Sequence, residues 1–131
     1  MVRVIDRPDG MVRFEGETMI VSHKGRSVEV HDLCGWRDPI DGEVEFDPES
    51  AARYAEAGDR LVLAARREEG LMLRRVRKKL GLSQEEAAKL TGGGHNAFSR
   101  YESGKTQPMP AVVNLFTLLD RHPALLDELR R

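Results

Sequence analysis

Residues 82–104 run Leu82-Ser83-Gln84-Glu85-Glu86-Ala87-Ala88-Lys89-Leu90-Thr91-Gly92-Gly93-Gly94-His95-Asn96-Ala97-Phe98-Ser99-Arg100-Tyr101-Glu102-Ser103-Gly104, and this punctuation predicts two short helices joined by a glycine turn. Ser83 suits the capping position, and Glu86, three residues on, can reach back to close a capping box for a helix over Gln84 to Leu90. Ala87 and Ala88 are small enough for the next helix to cross closely, and the three glycines make the tight turn of a helix-turn-helix. The second helix is expected over about His95 to Ser103, ended by Gly104. At ~100° per residue, Ala97, Phe98 and Tyr101 gather on one side, with His95, Asn96, Ser99, Arg100 and Ser103 on the other. Asn can both donate to and accept from the major-groove edge of adenine, and Arg can donate twice to guanine, so Asn96 and Arg100 are the base-reading candidates. An ordinary solvated polar face is the competing reading. The capped helix and glycine turn in front favour DNA.

Supporting contacts are expected from His95 and Ser99 on the same helix and from groups flanking it: Ser83 and Gln84 before, and Lys105, Thr106 and Gln107 after. Phosphate contacts of this kind set register without reading sequence. Upstream, Leu71 to Leu80 reads as a helix with Leu73, Val76 and Leu80 on one face and Gly81 at its end. Its Arg74, Arg75, Arg77, Lys78 and Lys79 form a basic cluster, of which Arg74, Arg75, Lys78 and Lys79 offer general attraction to DNA. Downstream, Pro110 to Leu119 and Pro123 to Leu129 give two more helices with apolar residues on two faces. One face closes a five-helix core and the surplus suits a homodimer on two half-sites; a monomeric core is the alternative.

The amino-terminal half has a different period. Val2 and Val4, then Val12 and Phe14, alternate with polar residues around a Pro8-Asp9-Gly10 turn, and Met19-Ile20-Val21 and Val28-Glu29-Val30 flank a hairpin turn at His23-Lys24-Gly25-Arg26. Gly35, Pro39 and Gly42 break up residues 32–46, with room for a short strand at Val44-Glu45-Phe46. Asp47-Pro48-Glu49-Ser50 then starts a helix that Gly58-Asp59 can interrupt and Gly70 closes. The expected fold is α+β: an antiparallel β domain over 1–46, a connecting helix and linker over 47–70, and an all-α helix-turn-helix domain over 71–131.

Composition bounds the function. Residues 1–70 carry 10 Lys/Arg against 16 Asp/Glu, a balance of −6, and residues 71–131 carry 11 against 6, a balance of +5. Basic residues attract a polyanion by displacing counterions, whereas an acidic module suits a basic protein partner; two solvated faces would show the same counts. No apolar run reaches the ~20 residues of a membrane span, and no secretory signal opens the chain, so a cytoplasmic protein without a membrane partner is expected. Cys34 is the only cysteine, which excludes an intrachain disulfide and a four-thiolate metal site. An enzyme using Cys34 with His31 or His23 lacks an oxyanion-type turn and an orienting acid. The triple glycine lacks the Gly-Lys-Ser/Thr ending of a phosphate loop. No catalytic residue, metal or cofactor is expected.

Leu82 to Ala88 followed by Phe98 to Gly104 resembles the Cro/phage-repressor (Xre) helix-turn-helix. The longer stretch from Arg77 through Glu102, with Leu119-Asp120-Arg121-His122-Pro123, resembles the MqsA (YgiT-type) antitoxin family, over about half the chain. That resemblance implies a carboxy-terminal domain that dimerises on a palindromic operator in double-stranded DNA, with Asn96 and Arg100 reading bases. It also implies an amino-terminal domain that binds a ribonuclease toxin, here expected to be basic, and structural zinc held by two cysteine pairs. The lone Cys34 departs from that pattern, leaving His23, His31 and Cys34 as the one substitute set to weigh against ordinary surface and core roles. The implied function is the antitoxin of a type II toxin–antitoxin system that represses its own operon. A stand-alone regulator whose amino-terminal domain senses a ligand or protein is the alternative.

Overall fold

The computed structural model describes residues 7–130, so the expectation for Val2 and Val4 lies outside the described residues. The chain divides into two compact units, one running to Val62 and the other from Leu63. The fold is α+β as expected: three antiparallel strands, β1 (Val12–His23), β2 (Arg26–Arg37) and β3 (Val44–Phe46), precede the helices α1 (Pro48–Lys79), α2 (Gln84–Leu90), α3 (Ala97–Glu102), α4 (Pro110–Arg121) and α5 (Leu126–Leu129), with a 3₁₀ turn at Pro123–Leu125. Among the described residues no helix is long and apolar enough to cross a membrane.

In the first unit the strands follow the order β1-β2-β3, and the hairpin closes at His23↔Arg26 over Lys24 and Gly25 as the turn residues predict. Two expectations are corrected. Val12–Phe14 and Met19–Val21 belong to one strand, because Gly16 takes a positive φ of 64° and the register shifts there while pairing resumes beyond it. Gly35 does not break β2, which pairs with β1 and β3 on either side through Phe14↔Gly35 and Gly35↔Phe46. A Cβ at Gly35 would run into the Glu45 carbonyl. Its absence lets the Phe14 and Phe46 rings meet edge-on, 6.2 Å apart, with Tyr54 4.8 Å beyond Phe46. Val44–Phe46 is a strand, as expected.

The break expected at Gly70 is also corrected: α1 runs unbroken through Gly58 and Gly70, and the division between the units falls inside it. A glycine that ends a helix takes a positive φ, and neither of these does. Gly70 is buried where a Cβ would collide with the Tyr101 carbonyl, so it serves close approach between α1 and α3. The ~1 kcal/mol propensity cost of a mid-helix glycine is outweighed by that packing.

The second unit is built on Leu73 and Val76 of α1, Leu82, Ala87 and Ala88, Phe98 and Tyr101 of α3, Val112, Phe116 and Leu119 of α4, and Leu126, which form one buried cluster. The Phe98 ring lies 5.6 Å from that of Tyr101 and 5.2 Å from that of Phe116, so α3 is anchored by its inner face. Asp120 at the end of α4 accepts two bonds from Arg75 (3.1 and 2.9 Å) and one from Lys79 (3.0 Å), which ties α4 back to α1. Those cations hold the Asp120 carboxyl well below the usual carboxylate range. A carboxylate whose pKa is depressed on folding contributes stability that is present above its unfolded value of 3.8 and lost as pH falls toward the folded one. We expect Asp120→Asn to flatten the acid limb of a thermal-midpoint-against-pH curve below about pH 4, the midpoint of the wild type falling more steeply there.

Candidate nucleic-acid interface

Ser83 caps α2 in the arrangement its sequence predicts. Its hydroxyl accepts from the Glu86 amide at 3.0 Å, and the Glu86 carboxylate accepts from the Ser83 amide at 3.0 Å. Those bonds hold the Glu86 carboxyl below its ordinary range. Beyond α2, Gly92 and Gly93 donate to the carbonyls of Lys89 and Ala88, a Schellman closure that turns the chain toward α3. The helix α3 is shorter than expected, starting at Ala97, so His95 stands in the turn before it, exposed, and Asn96 takes the capping position. The Asn96 side chain makes no capping bond.

Phe98 and Tyr101 are buried, while Asn96, Ser99, Arg100 and Ser103 are exposed. Asn96 and Arg100, one turn apart, line a shallow cleft of about 280 Å³ together with Thr106. The neighbourhood of Thr106 follows from a second Schellman closure: Gly104, at φ 79°, donates to Tyr101 O, and the amides of Lys105 and Thr106 both donate to Arg100 O, at 3.0 and 3.3 Å. Lys105 and Thr106 are exposed there. Gln107 departs from the expectation: half-buried, it donates to Glu69 at 2.7 Å and is not brought to this cluster. Gln84 is exposed at the start of α2 with its amide 3.4 Å from Glu102.

Sequence reasoning missed one pair. Arg77, counted there in the basic cluster, forms a two-pronged bond with Glu102 at 2.8 and 2.8 Å and donates to Leu82 O at 2.9 Å. The two side chains are 12% and 6% exposed. This one pair joins α1, the turn before α2 and α3. The signal was present: Leu73, Val76, Arg77 and Leu80 follow the i, i+3, i+4, i+7 rhythm of an inward stripe, and Phe98, Tyr101 and Glu102 follow its first three steps.

The described residues of the first unit offer no cluster fitted to zinc. Among the described residues no three His, Cys, Asp or Glu side chains come together to hold a metal ion, and His31 turns Nδ1 to the Thr18 hydroxyl at 3.0 Å. The sheet is held to the start of α1 by other means. Arg13 grips Asp47 through two bonds of 2.7 Å, Asp47 donates its amide to Cys34 O, and the Cys34 amide donates to the buried Ser50 hydroxyl at 2.9 Å. Arg7 and Arg13 also lie over the Trp36 ring at 5.1 and 5.3 Å. These polar ties hold the sheet in addition to its apolar residues. A chelator such as EDTA should leave the thermal midpoint of the purified chain unchanged; a fall, or zinc at one equivalent in the metal analysis, would contradict this arrangement.

The profile of a family described as "Antitoxin component of bacterial toxin-antitoxin system, MqsA" matches residues 10–130. A curated relative, "Antitoxin MqsA" of Escherichia coli (strain K12), is 57% identical over 56 residues. That alignment covers 43% of this chain and 43% of the relative, so the chain spans less than half the length of the curated protein it matches.

Proposed function

The chain belongs to the MqsA antitoxin family, and we propose that it is the antitoxin of a type II toxin–antitoxin pair, binding a cognate toxin and repressing its own operon as a sequence-specific DNA-binding dimer. The observation that carries the DNA half is the exposed pair Asn96, at the cap of α3, and Arg100, one turn along it, on a helix whose other face is buried. Asn96 reads adenine and Arg100 guanine. Ser83, Gln84, His95, Ser99, Lys105 and Thr106 supply the supporting contacts.

Two copies act on a palindrome. Leu118, Leu125 and Leu129 are 52%, 41% and 42% exposed on the helices that close the second unit, and burying them against a second copy accounts for apolar surface that a monomer leaves in water. Half-sites then lie ~34 Å apart or a multiple of it. The toxin belongs to the amino-terminal side, where the −6 balance of residues 1–70 complements a basic ribonuclease. Co-expression with the product of the adjacent gene tests the toxin half. Growth arrest by that product, relieved by this chain, is the expected result, and a non-toxic neighbour that forms no complex rejects it.

A further inference from the structure

Five basic residues sit in one stretch of α1, and the structure sorts them. Arg77 is committed to Glu102, and Arg75 and Lys79 share Asp120. Lys78 is exposed. Arg74 is exposed as well, and it lines a cleft of about 350 Å³ with Arg77, Gln84, Ser99, Glu102 and Ser103. The cleft lies along α3 at Ser99, the residue next to Arg100. Its one carboxylate, Glu102, is 6% exposed and turned to Arg77 and the Gln84 amide, so the charge it presents to solvent is that of Arg74.

We propose that Arg74, with the Ser99 hydroxyl and the Gln84 amide, holds a phosphate of the DNA backbone, and that it is the arginine of the α1 basic cluster that does so, the Ser103 hydroxyl being donated to Arg100 O at 3.2 Å. A guanidinium beside a hydroxyl and an amide is a donor set matched to phosphate oxygens. A strand bordering the groove that α3 enters passes this flank. The assignment rests on the DNA-reading role of α3 and adds a contact that carries no base information.

Anisotropy titrations of the full chain on its upstream DNA and on a scrambled duplex, across about 50 to 200 mM KCl, test it through the slope of log affinity against log salt. Arg74→Ala should reduce that slope in magnitude by about 0.9 per protomer and weaken both duplexes alike, while Arg74→Lys keeps the wild-type slope. Arg75→Ala should also keep it. A wild-type slope for Arg74→Ala, a loss confined to the operator, or a slope change in Arg75→Ala alone would overturn the assignment. If Arg74→Ala fails to fold by circular dichroism, Arg74→Gln carries the same readout. Wild-type protein without salt-dependent DNA binding defeats the proposed function itself, whereas wild-type binding left unchanged by Arg74→Ala defeats only this inference.

Discussion

Glu102→Ala lowers the stability of the second unit by about 3–5 kcal/mol, the usual cost of removing one partner from a buried ion pair. The size follows from what stays behind: Arg77, 12% exposed, loses both of its carboxylate bonds and keeps only Leu82 O. A charge in that position is poorly hydrated and has lost its counter-ion. Arg77→Met combined with Glu102→Leu should recover much of the loss, because two apolar side chains of similar volume leave no stranded charge. Urea denaturation of the single and double variants measures both. A loss below about 1 kcal/mol for Glu102→Ala would place the pair with ordinary surface salt bridges, and the inward position of both residues would have to be given up.

Arg100→Ala weakens operator binding by about 1–3 kcal/mol, or ~5- to 150-fold, and barely changes the thermal midpoint; Asn96→Ala behaves alike. Both parts follow from exposure. Neither side chain is in the buried cluster that Phe98 and Tyr101 join, so truncation leaves no cavity. Lys105→Ala separates the roles, since a phosphate contact weakens all duplexes by the same factor.

The parts of the fold that were legible in the sequence are those written in local chemistry. The capping box of Ser83 and Glu86, the glycine ends at Gly81 and Gly104, and the Lys24-Gly25 hairpin each depend on residues within five positions of one another, and each forms as read. The misread parts depend on distant partners. Gly35 looks like a strand breaker until Phe14 and Phe46 are seen beside it, and Gly70 looks like a helix end until the Tyr101 carbonyl occupies the space a side chain would need. The same holds for charge. Arg74, Arg75 and Arg77 are alike in sequence, and only Asp120 and Glu102, contributed from α4 and α3, tell them apart. The exposure of Asn96 and Arg100 was legible because Phe98 and Tyr101 take the inner side of a six-residue helix and leave its outer side to their neighbours. The half-buried place of Gln107 was not, because Glu69, 38 positions earlier, takes its amide.

Titrating the wild type and an Asn96→Ala/Arg100→Ala double variant on the chain's own upstream DNA and on a scrambled duplex, at one fixed salt concentration, bears most directly on whether α3 reads sequence. The ratio of the two affinities should be large for the wild type and fall close to one for the variant, with binding to the scrambled duplex nearly unchanged. A variant that keeps the wild-type ratio would show that sequence is read elsewhere on the protein.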